Sequence, residues 1–234
     1  MIKYPPIKIN LGLNVLRKRE DGFHDLETLF LESGRFHDTL EIVTGDDYSR
    51  TMASLAARYG DRCGICDGDI PALAQGISEN GKLMITVARK EGVDWDVRKD
   101  LCAKAYALLD NDFKLPPAKI FLEKNSPVGA GLGGGSADAA YTLTMLNDIC
   151  SLGLSTEQLA GYAARLGSDC AFFIFGRPMF GEGRGEVLTP FELAVDIVDA
   201  GGAACSGSRT GSSDGGNDSS GTGTARPCTR EHPE

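Results

Sequence analysis

The chain has 234 residues, 41% of them apolar and 24% charged, enough for one large domain or two small ones with a real core. A net charge of −9 argues against broad binding to nucleic acid, whose partners are basic, and no apolar run approaches the ~20 residues of a membrane span. The opening stretch, Met1 to Asn10, lacks the basic, apolar and small-residue regions of a secretory signal, so a cytoplasmic location is expected, with neither nucleic acid nor membrane as partner.

Residues 7–16 alternate with period two. Ile7, Ile9, Leu11 and Leu13 fall on one side and Lys8, Asn10, Gly12 and Asn14 on the other, which predicts a half-buried strand. Asp21-Gly22 marks a turn into a second extended segment, and His37 to Gly45 reads as a third. Residues 46–81 read as a mixed, partly helical insertion ending in a Gly/Asn/Ser-rich loop. A strand over 82–90 precedes an amphipathic helix over 98–112, with Leu101, Ala105, Leu108 and Leu109 on one face.

Pro116-Pro117 stops that helix, and 118–125 alternates again as a strand. A glycine-rich loop leads into a helix over 136–150 whose buried stripe is Ala139, Leu143, Leu146 and Ile149. Ser155 and Gln158 form a capping box for a further helix, which Gly167 is placed to close. Cys170 to Phe175 and Pro178 to Gly183 suggest two more short strands, and 186–197 another. Residues 201–234 contain no Val, Ile, Leu, Met, Phe, Trp or Tyr, cannot bury enough apolar area to offset ordering entropy, and are expected to be a disordered low-complexity tail.

Seven cysteines in a long chain suit reduced thiols better than a disulfide framework. Cys63 and Cys66 form a lone C-x-x-C. A zinc site needs a second ligand pair, and His24, His37 and His232 lack the spacing to supply one.

The loop carries glycines at 129, 131, 133, 134 and 135. A strand, a glycine turn and a helix make an anion site, because the first helical N–H groups lack intrahelical partners and the dipole adds positive charge. Gly129-x-Gly131-x-x-Gly134 formally fits the dinucleotide fingerprint, yet Phe175-Gly176 stands where a ribose-binding acid is wanted. A Walker A loop needs Gly-Lys-Ser/Thr, and a protein-kinase loop needs H-R-D and D-F-G partners. This chain has none of them.

A fourth class fits. The run Pro127-Val128-Gly129-Ala130-Gly131-Leu132-Gly133-Gly134-Gly135-Ser136-Ala137 resembles the P-x-G-x-G-L-G-x-S-S-A motif of the GHMP small-molecule kinases. Residues 8–13, 21–29 and 166–173 match further segments in the family's order, so the resemblance covers residue 2 to about 193. Among these kinases the flanks look like those acting on a cytidine diphosphate-linked polyol in non-mevalonate isoprenoid synthesis.

The resemblance implies an α+β, GHMP-type two-domain fold. Residues 1–180 would be the ATP-binding and catalytic domain, and 181–200 the start of a largely missing substrate domain. It implies ATP and Mg²⁺ as cofactors, with the loop holding the ATP phosphates. Ser136 would offer its hydroxyl to phosphate or Mg²⁺, its bland alternative being a helix N-cap. Asp169, which alone would read as a turn or cap residue, matches the family's catalytic base. Lys8, otherwise a solvated strand lysine, matches the lysine whose charge favours the developing alkoxide. Asn10 lies beside Lys8 in the substrate site, and Phe23 and His24 match the cytosine site, the ring stacking and the imidazole reading the base edge. Two other readings stay open: a non-catalytic remnant that keeps at most nucleotide binding, and a dinucleotide-binding domain.

Overall fold

A computed structural model describes residues 1–45 and 72–193. Residues 46–71 of the expected insertion over 46–81, with Cys63 and Cys66, as well as His232 and the expected tail over 201–234, lie outside the described residues. The strands are β1 (Ile2–Lys3), β2 (Pro6–Lys18), β3 (His24–His37), β4 (Thr39–Thr44), β5 (Leu73–Ile77), β6 (Leu83–Arg89), β7 (Ala118–Lys124), β8 (Met179–Glu182) and β9 (Val187–Pro190). The helices are α1 (Leu101–Phe113), α2 (Gly134–Ile149), α3 (Thr156–Leu166) and α4 (Cys170–Phe175). They make an α+β fold with two sheets, ordered β1-β4-β7-β6-β5 and β2-β3-β8-β9.

The first sheet is the main core. Leu40, Ile42, Val87, Ile120 and Leu122 are fully buried against Ala105, Tyr106 and Leu109 of α1 and Leu143 and Leu146 of α2. Each such side chain contributes about 1.5–3 kcal/mol by leaving water. On its other side α2 lays Ala137 and Ala140 against Phe30, Phe172, Phe173 and Met179 of a second cluster. A helix covered on both sides needs small residues where backbones approach, which accounts for its alanines. Helix ends follow local chemistry. The Asp100 carboxylate accepts from the Cys102 N–H at 2.9 Å to start α1, and Ser155 and Gln158 form a complete capping box on α3.

Four expectations change. Cys170–Phe175 is a helix, not a strand. A six-residue apolar run carries no period that separates the two, and here burial of Phe172 and Phe173 against Phe30 decides. Part of the expected mixed insertion is a strand, since Leu73–Ile77 pairs antiparallel with β6. The expected stretch 186–197 yields a short strand over Val187–Pro190. Finally, β2 is not half-buried along its length. Ile7 and Lys8 are both buried, whereas Leu11, Leu13, Val15 and Leu16 are exposed, because beyond Asn10 the strand has β3 at its edge and no described element over its faces. Alternation set the pairing with β3; burial needed an opposing layer.

Candidate active site

The glycine loop joins β7 to α2 beside the centre of the first sheet. Gly129, Gly131 and Gly133 have φ of 75°, 74° and 70°, a left-handed backbone costing other residues about 1–2 kcal/mol each. The Lys8 N–H donates to the Leu132 carbonyl at 2.8 Å, fastening the loop to β2. Close packing also reserves Gly133, where a side chain would meet Lys8 Cγ at 3.0 Å and the Phe173 ring at 3.2 Å.

Gly133 is the N-cap of α2, and the first intrahelical bond runs from the Ala137 N–H to the Gly133 carbonyl at 2.9 Å. Ser136 is therefore the third helical residue and not the cap, and its hydroxyl meets the Cys170 thiol, which burial pushes up to about 11. Residues Pro127 through Ser136 line a cavity of about 460 Å³, with Lys124, Asp138 and Asp169 also in its wall. Ala137 instead packs beneath, in the Phe30 and Phe172 cluster.

Asp169 and Lys8 meet at the rim of this cavity, Lys8 Nζ lying 3.3 Å from Asp169 Oδ2. The lysine is buried, donates to Asn10 Oδ1 at 3.0 Å and sits 4.6 Å from the Phe30 ring centroid. Its polar-face position on the strand thus points inward, not to solvent. Asp169 occupies the N-cap position of α4, but its carboxylate makes no capping hydrogen bond. That carboxylate is directed to Lys8 and the cavity.

Phe23 and His24 are not part of this cluster. They lie at the tip of the β2–β3 hairpin, where Lys18 pairs with His24, eight positions along β2 from Asn10. At ~3.3 Å per residue that is on the order of 25 Å along the strand. The link runs through the turn after β8. Arg184 stands 5.1 Å over the exposed Phe23 ring, and the Gly185 Cβ position lies 3.9 Å from Asp169 Oδ1.

Sequence reasoning missed Trp95, Asp100 and Leu101 in the cavity wall. Nor did it flag Asp38, Lys124, Ser126 and Asp138, a buried polar cluster below the loop. Lys124 ends an apolar strand, Asp38 immediately precedes one, and Asp138 breaks the small-residue run of α2; those positions were the available signal. The surroundings of the loop also exclude the dinucleotide reading. In a doubly wound fold the helix after the loop returns to a parallel strand of the same sheet. Here the chain passes through α3 and α4 to β8, in the other sheet.

A strand, glycine loop and helix, with Lys8 of the second sheet and Asp169 at the start of α4 beside them, make an anion-receiving cavity with a charged pair at its rim. Residues 100–177 match the family model described as the GHMP kinases N terminal domain, and the chain carries that domain. A Bacteroides fragilis relative named 4-diphosphocytidyl-2-C-methyl-D-erythritol kinase is 40% identical over 197 residues, 83% of this chain and 59% of its own length. An Azobacteroides pseudotrichonymphae relative of the same name is 40% identical over 193 residues, 82% of this chain and 58% of its own. A crystal structure of 4-(cytidine 5'-diphospho)-2C-methyl-D-erythritol kinase superposes with TM-score 0.56 at 30% identity, covering 82% of this chain and 56% of that one. The chain thus spans somewhat over half the length of these relatives.

Proposed function

We propose that this chain is the ATP-binding and catalytic portion of a kinase that phosphorylates a hydroxyl of 4-diphosphocytidyl-2-C-methyl-D-erythritol. The observation that carries the reading is the Lys8–Asp169 pair, 3.3 Å apart at the rim of the glycine-loop cavity. Phosphoryl transfer asks mainly for positioning and charge stabilisation. The loop amides and the first turn of α2 receive the ATP phosphates. Asp169 accepts the hydroxyl proton as that oxygen attacks the γ-phosphorus. The bond from the γ-phosphorus to the bridging oxygen breaks, and ADP leaves. Lys8, held by Asn10 and Phe30, keeps positive charge beside the oxygen that is losing its proton.

Ser136 and Asp169 both line the cavity, and Mg²⁺ is ordinarily held by one or two protein oxygens with the rest from phosphates and water. The donor set fits. Ser136 would hold such an ion, which would supply charge neutralisation on the phosphates. Phe23 and His24 take the cytosine, the ring by stacking. We place the ATP-binding domain at residues 1–180, with β9 attached through its pairing to β8, and 181–200 at the start of a substrate domain. A cytoplasmic location belongs to the same proposal. The free Cys102, Cys150 and Cys170 suit a reducing compartment, and among the described residues no helix is long and apolar enough to cross a membrane.

The test is ADP release on mixing the chain, Mg-ATP and the diphosphocytidyl substrate, with the phosphate ester followed by ³¹P NMR. Substrate-dependent turnover supports the reading. Mg-ATP binding without turnover identifies a non-catalytic nucleotide-binding remnant.

A further inference from the structure

The described residues hold a buried ionic cluster that this chemistry leaves unused. Asp38, between β3 and β4, is 0% exposed and accepts four hydrogen bonds. Three come from the entrance of the glycine loop: the Asn125 N–H at 2.6 Å, the Ser126 N–H at 2.8 Å and the Ser126 hydroxyl at 2.7 Å. The fourth comes from the Lys124 ammonium, which also donates to Asp138 Oδ2 at 2.6 Å in α2. The other oxygen of Asp138 is buried without a hydrogen-bond partner.

Burial pushes the Asp138 carboxyl well above its usual range. It also pulls the Lys124 ammonium down, but Asp138 and Asp38 outweigh that and hold the lysine above its ordinary value. Such a cluster is costly. Each buried ion loses several kcal/mol of hydration, and apolar residues of the same size often serve stability as well or better.

Its placement supplies a reason. One carboxylate holds residues 125–126, where the loop begins, and the other belongs to the helix in which the loop ends; a single ammonium ties them. Between them the loop is fastened to β2 only from Leu132 onward, and side chains at Gly129 or Gly131 would meet nothing within 4 Å. Gly134 packs directly on the cluster, where a side chain would strike Ser126 Oγ at 2.5 Å with Lys124 Nζ at 3.4 Å.

We propose that the Asp38–Lys124–Asp138 cluster holds the glycine loop in its phosphate-receiving geometry, with Lys124 and Asp138 as positioning residues. The inference rests on the nucleotide reading of the loop given above. The loop's conformation is then set from below, by a tie between its two stems, and not by the ligand.

The experiment uses the full chain and three variants. Asp138→Asn keeps an acceptor oxygen for Lys124. Asp138→Leu removes the tie. Lys124→Met with Asp138→Leu removes the tie without leaving an unpaired ammonium. Mg-ATP affinity by calorimetry, the thermal midpoint and amide hydrogen exchange over 127–133 are measured on each. The expected result is Asp138→Asn within about threefold of the parent affinity. Both leucine variants bind at least tenfold more weakly and exchange faster in the loop, while the double variant unfolds within a few degrees of the parent.

A folded double variant with affinity within twofold of the parent overturns the proposal. So does Asp138→Asn losing as much as Asp138→Leu, since charge rather than the tie would then matter. Collapse of the fold in both leucine variants overturns it too, because the cluster would serve stability at large. A parent that binds no Mg-ATP removes the nucleotide reading itself, which separates that failure from the others.

Discussion

Asp169 differs from an ordinary helix-capping aspartate in what its carboxylate does. It leaves the first turn of α4 uncapped and turns to Lys8, so local stability has been given up for a charge placed at the cavity rim. Replacement by asparagine keeps the shape and removes the proton acceptor. Asp169→Asn should therefore lower kcat by about 10²-fold or more while Mg-ATP affinity stays within about twofold; steady-state kinetics beside calorimetry gives both numbers, and activity within a few-fold of the parent would make Asp169 a structural residue. Glu32 is a second group of this scale. It pairs across from Lys8 in the hairpin, and burial raises its carboxyl above the usual range, with Oε1 buried and lacking a hydrogen-bond partner. Tyr141 of α2 faces it. A carboxyl raised on folding favours the folded state below its unfolded pKa, and that contribution is lost as pH rises through the folded value. Glu32→Gln should then unfold at a higher temperature than the parent near neutral pH, an advantage that shrinks on acidification toward pH 4. A constant difference across that range would show that the charge on Glu32 costs nothing.

At the scale of elements, glycines in the same protein do opposite things. Gly133 combines a φ of 70° with contacts to Lys8 and Phe173, so Gly133→Ala should destabilise by about 1–2 kcal/mol from backbone strain alone and weaken Mg-ATP binding. Gly161 lies exposed inside α3 with nothing within 4 Å of a new side chain. Gly161→Ala should stabilise by about 0.5–1 kcal/mol, since alanine loses less backbone freedom in a helix. Denaturant titration of the pair reads both signs, and two changes in the same direction would contradict the contrast. The expected helix over 98–112 runs through Asp100, which the structure makes the cap of α1. The capping box of α3 was visible as a residue pattern because a cap is a local bond. α4 was not, because whether Cys170–Phe175 coils or extends depends on where Phe30 waits for Phe172.

For the whole molecule, the two sheets share α2, and the cavity lies where its first turn meets β7 and the start of β2. A ligand that binds the folded chain alone stabilises it by mass action, about 2.7 kcal/mol at one hundred times its Kd. Saturating Mg-ATP should raise the thermal midpoint by several degrees, and NAD at equal concentration should not. Thermal scans with each ligand decide it, and a larger shift with NAD would sink the kinase reading.

The sequence determined the glycine loop, its strand and helix flanks, the turn between β2 and β3 and the span of α3, because each depends on residues near one another in the chain. It also named Lys8 and Asp169, by resemblance to a family and not by any local rule. That the two lie 3.3 Å apart, although 161 positions separate them, is a fact of sheet packing. Tertiary structure alone decided that Lys8 points inward, that Leu11 and Leu13 do not, that Phe23 and His24 stand apart from the Lys8–Asp169 pair, and that Asp38, Lys124 and Asp138 converge beneath the loop. Periodicity tells which side of a strand a residue takes; only the layer that comes to lie against that side decides whether it is core, site or solvent.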